Sequence, residues 1–315
     1  MTKQETTKGS ILILTSAILW GINGNIGAYL FKNQGITPEI LTMYRLIVAG
    51  LILLSYDSIK NKKLNTEILK DKPSLIRLIF FGFCGILAMQ YSYFVATKHS
   101  NSATATILQY LAPFIIVVIT AIKDKKMPSK EIVLPLSLGM LGIFLFITHG
   151  KINQIVINES ALFFGILAAI GLVIYNLAPA KLQEDYPIYQ ILGWGMLIPG
   201  ISFAIVVNPL KVEISYKLIT ILGISYVAIF GTLISFFTYL IGVKLIGPQK
   251  SSIIALAEPV AAALIGAIFL KEKFKVYDYM GIALVIFGIF LLTNSDKKKQ
   301  RKESTINNSL TIEEQ

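Results

Sequence analysis

The chain has 315 residues, of which 54% are hydrophobic and only 15% charged, with a formal net charge of +11. An ordinary soluble domain is roughly one quarter charged, so this composition excludes a soluble globular protein and points to lipid as the solvent. A single cysteine, Cys84, excludes an internal disulfide and leaves no pair for redox chemistry.

Ten apolar runs follow along the chain, over 11–31, 39–56, 75–96, 102–122, 132–148, 159–179, 188–207, 218–241, 252–270 and 277–293. Each is close to the twenty or so residues that cross a bilayer as a helix. The runs are continuous rather than alternating and about twice the length of a membrane strand, which makes strands a poor alternative. The pattern predicts an all-α integral membrane protein with ten transmembrane helices. The first run is too long for the apolar core of a signal peptide and lacks a small-x-small cleavage site, so it is expected to stay as the first helix.

The positive charge is topological. With a cytoplasmic N-terminus, nineteen lysines and arginines fall in the inner segments, among them Lys60, Lys62 and Lys63, Lys123, Lys125 and Lys126, and the tail "DKKKQRK"; only eight fall in the outer ones. Positive-inside bias therefore predicts both termini in the cytoplasm of a multi-pass cell-membrane protein, and it removes the argument for a nucleic-acid partner. From 294 to 315 the chain is polar, which predicts a solvated tail. His99 and His149 stand at predicted outer helix ends with no second ligand at metal spacing, and there is no glycine-rich phosphate loop. No cofactor or metal is expected. Gly139, Gly142, Gly281 and Gly288 are read as helix-packing positions.

The chain repeats itself. Lys98 matches Lys244, Pro113 matches Pro259, and Gly142, Ile143, Phe144 and Leu145 match Gly288, Ile289, Phe290 and Leu291, always 146 residues apart. Two units, 10–149 and 158–293, each hold five runs. Five is odd, so the second copy enters the membrane from the opposite side, and the repeats are inverted. Such an arrangement predicts alternating access around a site near the midplane.

The stretches "AILWG", "YRL", "QYLAPFI", "LAEPVAAALIGAIFLKEK", "GIFLF" and "GIFLL" resemble the EamA family of the drug/metabolite transporter superfamily, ten-helix carriers built from two five-helix repeats. The resemblance implies helices one to four and six to nine around the path, with helices five and ten peripheral. Members move amino acids, metabolites, nucleobase-like compounds or drugs. The family carries a glutamate thirteen residues after the repeat proline; Glu272 stands there in the second half, while the first half has Lys126, with Asp124 nearby.

Two charges break the internal symmetry. Glu258 aligns with Ala112, and Arg45 aligns near Trp194 when "TPEI" is set over "YPIY". A charge at bilayer depth costs a few kcal/mol, so each is expected to face a partner or a wet cavity, with function the default hypothesis. The alternatives are that Arg45 holds carbonyls or a helix end, that Glu258 serves amides freed by Pro259, or that the two pair. Seven residues of helix place each about 10 Å deep from opposite faces, leaving about 10 Å between them. Further candidates for a solute or coupling site are Trp20, Asn23 and Asn25, Gln90, Tyr91 and Tyr93, Gln109, Tyr175 and Asn176, Trp194 and Tyr239. About half of these are expected to face a cavity, the rest to hold helices together or anchor interfaces. Pro113 and Pro259 are expected to open their helices locally.

The expected function is secondary active transport, as an exporter, of a small organic metabolite, amino acid or drug-like solute by alternating access, with proton coupling through Glu258. The expected partners are that solute and the bilayer, with a homodimer left open. The alternatives from other classes are a membrane-embedded enzyme acting on lipid and a non-transporting sensor; no catalytic residue is expected.

Overall fold

The computed structural model describes residues 3–100, 102–150, 158–208, 217–270 and 275–313. Among them, every long element is a helix, as a chain without water must be if its backbone groups are to be satisfied internally. The first repeat contains α1 (Lys3–Asn33), α2 (Pro38–Asn61), α3 (Lys72–His99), α4 (Ser102–Gln109), α5 (Leu111–Asp124) and α6 (Lys130–Thr148). The second contains α7 (Glu159–Leu177), α8 (Ile188–Val207), α9 (Leu218–Ile246), α10 (Pro248–Ile254), α11 (Ala257–Leu270) and α12 (Val276–Glu313).

Local chemistry sets the ends. Gly35 adopts φ +67°, which lets Gln34 and Ile36 both donate to the Leu30 carbonyl and close α1. Thr37 then caps α2, accepting from the Ile40 amide at 3.4 Å with Pro38 in the first turn. Asp71 caps α3 by accepting from the Ser74 amide at 3.0 Å, and the Ser74 hydrogen bonds hold its carboxyl below the usual range. Asn158 does the same for α7 through the Ala161 amide at 2.7 Å. Past the last apolar run, α12 continues as helix to Glu313, through most of the stretch expected as a solvated tail.

Among the described residues, nine helices are long and apolar enough to cross a membrane. The expected crossing over 252–270 is not one of the nine; it is divided into α10 and α11, as the crossing over 102–122, which is one of them, is divided into α4 and α5. The division is part of a symmetric pattern. The chain leaves helical geometry at Tyr110, between α4 and α5, and at Ala255 and Leu256, between α10 and α11. Tyr110 lies three residues before Pro113, Leu256 lies three before Pro259, and the two are 146 apart. Proline has no N–H to give and crowds the preceding turn, so each helix opens there. A second matched pair lies in α3 and α9, where π-helical turns occupy Phe81–Leu87 and Ile229–Ile234. Adding 146 to the first gives 227–233, which overlaps the second.

These irregular turns are where the repeats meet. The π turn of α3 packs on α7 and α8, and that of α9 packs on α1 and α2. Glycine permits the approach: a Cβ on Gly82 would stand 2.7 Å from the Gly195 carbonyl oxygen. Peripherally, α6 and α12 pair through their glycines; a Cβ on Gly142 would stand 2.6 Å from the Gly281 carbonyl oxygen. His149 at the end of α6 and buried Asp278 at the start of α12 lie 2.5 Å apart and clip this pair. Ile11, Ile18, Leu51, Phe163 and Ile205 are exposed, as expected of helices whose outer faces meet lipid.

Candidate functional site

A cavity of about 70 Å³ lies between the two helix breaks. From the first repeat it is lined by Trp20, Asn23 and Gly24 of α1, Arg45 of α2, and Met89, Gln90, Tyr93 and Phe94 of α3, with Gln109 and Tyr110 at the first break. The second repeat adds Leu172 of α7, Phe236 of α9 and Glu258 beside the second break. The breaks touch: the Tyr110 hydroxyl donates to Glu258 Oε2 at 3.0 Å. The Ala255 carbonyl, deprived of a donor by Pro259, accepts from the Glu258 amide at 2.9 Å. The Glu258 backbone therefore serves the break, and its carboxylate is engaged by Tyr110.

Arg45 is 3% exposed. Its Nε donates to Thr232 Oγ1 at 2.7 Å and its Nη2 to the Gly231 carbonyl at 3.0 Å. Thr232 Oγ1 in turn donates to the Val227 carbonyl at 2.7 Å. These are groups of the α9 π turn, whose wide i→i+5 geometry leaves carbonyls to be met from outside. The guanidinium is flanked by Phe94 and Phe236, 5.5 and 6.0 Å from the ring centroids. Arg45 and Glu258 share the cavity without forming an ion pair, because each is held by a different hydroxyl.

Around the same cavity, Trp20 Nε1, Asn23 Oδ1 and both amide atoms of Gln90 are buried without a hydrogen-bond partner. A buried orphan of this kind costs about 1–3 kcal/mol, and native structures carry few of them. These four atoms, from three neighbouring side chains, are left for water or a ligand to satisfy.

Of the candidates read from sequence, Trp20, Asn23, Arg45, Gln90, Tyr93, Gln109 and Glu258 are brought to the cavity. Tyr175, Asn176 and Tyr239 lie next to it in a sealed cluster: Tyr239 donates to Asn176 Oδ1 at 3.0 Å, and Tyr175 to the Phe236 carbonyl at 2.9 Å. Trp20 joins this cluster to the cavity, its ring 4.9 Å from Tyr239 and 5.2 Å from Phe236. Three candidates are elsewhere. Tyr91 donates to Glu39 Oε1 at 3.1 Å and packs edge-on to Phe203, and Trp194 donates to the Asn65 carbonyl at 3.2 Å. Asn25 is exposed and donates to the Ala262 carbonyl at 3.3 Å. Glu272 lies outside the described residues. Sequence reasoning missed Tyr110, Phe94 and Phe236, and the Gly231–Thr232 pair that holds Arg45. For Tyr110 a signal existed, since a proline three residues on marks the position its helix must vacate.

The EamA-like transporter family matches the chain twice, over 7–148 and 159–294. The uncharacterized inner membrane transporter YicL of Salmonella typhimurium is 31% identical over 297 residues, 94% of this chain and 99% of its own. The uncharacterized transporter YwfM of Bacillus subtilis is 23% identical over 300 residues, covering 94% and 97% of the two chains. A solved crystal structure at 18% identity superposes with a TM-score of 0.75 over 90% of this chain and 97% of that one, which speaks for the fold alone. Two matches, one per repeat, and relatives of the same length named as transporters lead to one statement: the chain belongs to the EamA-like transporter family.

Proposed function

We propose that the protein is a secondary active exporter of a small organic solute, a metabolite, amino acid or drug-like compound, working by alternating access in the cell membrane with both termini in the cytoplasm. The observation that carries this reading is the cavity between the two helix breaks, walled by both inverted repeats and ringed by unpartnered polar atoms. Its volume of about 70 Å³ has room for about two waters, against roughly 300 Å³ or more for a pocket that holds a drug-sized ligand. Loading therefore requires the walls to part, which is the motion alternating access supplies. The excess of lysine in alternate loops supports the orientation. The names of the relatives favour a transporter over a lipid enzyme.

Proton coupling is assigned to Glu258. It is the carboxylate among the described cavity-lining residues, and it faces Tyr110 and Tyr93 from the first repeat and Arg45 across the cavity. A carboxyl that trades the Tyr110 hydroxyl for water as the breaks move takes and releases its proton in different states. Purified protein in proteoliposomes, screened with a metabolite library under an imposed pH gradient, tests the reading. Parent protein is expected to accumulate a solute against its gradient. Glu258→Gln is expected to lose accumulation while retaining solute exchange; an unaltered response of this variant to the gradient would remove Glu258 from the coupling step.

A further inference from the structure

We propose that the exported solute presents an uncharged planar amide edge, an N–H beside a C=O as in a lactam, imide or ureide, and that Gln90 reads it. This rests on the transporter reading and names its cargo class. Gln90 lines the cavity, is 4% exposed, and has neither its amide oxygen nor its amide nitrogen hydrogen-bonded. Exchanging the two atoms changes nothing, since both lack partners. A side-chain amide holds an acceptor and a donor in one plane, so the group that satisfies both at once is a second amide edge carrying the opposite pair.

The surroundings agree. Trp20 Nε1 supplies one more donor from α1, while Asn23 Oδ1 lies against the backbone of Gly231. Trp20, Tyr93, Phe94 and Phe236 put aromatic faces around the space, a lining suited to a flat ring. The cavity already holds one positive and one negative group, Arg45 and Glu258, each engaged by its own hydroxyl. An uncharged amide edge needs neither of them as a counter-charge. The residue 146 positions after Gln90 is Phe236, so the amide is not a feature of the repeated scaffold.

The structure also separates a ligand-reading role from a packing role. A glutamine that held helices together would have partners to lose. Gln90 has none, so Gln90→Leu removes two buried orphans and is expected to raise the thermal midpoint of the purified full-length protein while abolishing recognition. The experiment uses radiolabelled uracil flux in proteoliposomes, with uracil, dimethyluracil, pyridone and N-methylpyridone as competitors. Uracil and pyridone are expected to compete about ten-fold or more better than their N-methylated forms, and Gln90→Leu is expected to cut uracil flux by about ten-fold or more. Equal competition by the methylated rings overturns the proposal, as does a lowered midpoint with flux retained. Undiminished flux of a charged library solute through Gln90→Leu overturns the cargo class but leaves the transporter standing. Absence of flux for every solute overturns both.

Discussion

Positions 146 residues apart occupy matching places in the two repeats, yet the first repeat supplies most of the cavity's polar lining and the second chiefly Glu258. Gln90, Tyr93 and Phe236 all border the cavity, while Tyr239, the mate of Tyr93, is buried in the cluster beside it. Tyr110 reaches across to Glu258, while its mate Leu256 is an apolar core residue, and Glu258 itself stands where the first repeat has Ala112. The backbone devices, a helix break and a π turn, are present in each copy. The irregular turns thus occur twice, whereas the cavity's charged chemistry occurs once, through different side chains on equivalent backbone.

Arg45 and Trp194 give the widest test of that asymmetry. Arg45 ties the first repeat to the π turn of the second through a charged donor on two acceptors, each such bond worth about 1.5–3 kcal/mol. Arg45→Gln is expected to lower transport by about a hundred-fold. Trp194→Gln, its register mate outside the cavity, is expected to change flux by less than about three-fold. Similar losses in both would mean that the two walls carry equal weight.

The tyrosines sharpen the comparison. Tyr239→Phe leaves the buried Asn176 Oδ1 without its donor and is expected to cost about 1–3 kcal/mol of stability, read as a lower thermal midpoint. Tyr110→Phe is expected to keep the midpoint within about 1 kcal/mol but to reduce pH-driven accumulation by about five- to thirty-fold, because the link between the breaks is gone. A reversed pattern, with Tyr110 structural and Tyr239 functional, would invert the assignment of cavity and cluster. The smallest effect belongs to Tyr91→Phe, remote from the cavity: flux within about two-fold of the parent, even though its hydrogen bond to Glu39 is lost.

Hydropathy made most of this architecture legible. Run lengths located the helices, and Pro113 and Pro259 announced the breaks because a missing N–H acts locally whatever the tertiary context. Glu258 and Arg45 were legible as site residues for the same reason, a charge in hydrocarbon being costly wherever it sits. The facing of the remaining polar residues was not. Helices apolar on nearly every side carry no amphipathic stripe by which to orient Gln90 against Tyr91. The π turn at Phe81–Leu87 compounds the problem: an extra residue in one turn rotates everything after it by about 100°. Tyr91 and Trp194 were drawn in by residue type and excluded by rotation that only packing decides. Tyr110 was passed over because a tyrosine in an apolar run reads as bulk until the carboxylate it meets, 148 residues away, is placed beside it.

The small cavity bears on leakage as well as on cargo. A machine that spends a proton gradient must not offer protons a wire, and a wire in water is an unbroken file of molecules along which charge hops. About 70 Å³ accommodates a file of roughly two waters in a membrane about 30 Å thick. For the proton-coupled exporter proposed above, so short a file would carry little current in this conformation, and leakage would have to be controlled in the motion that admits cargo.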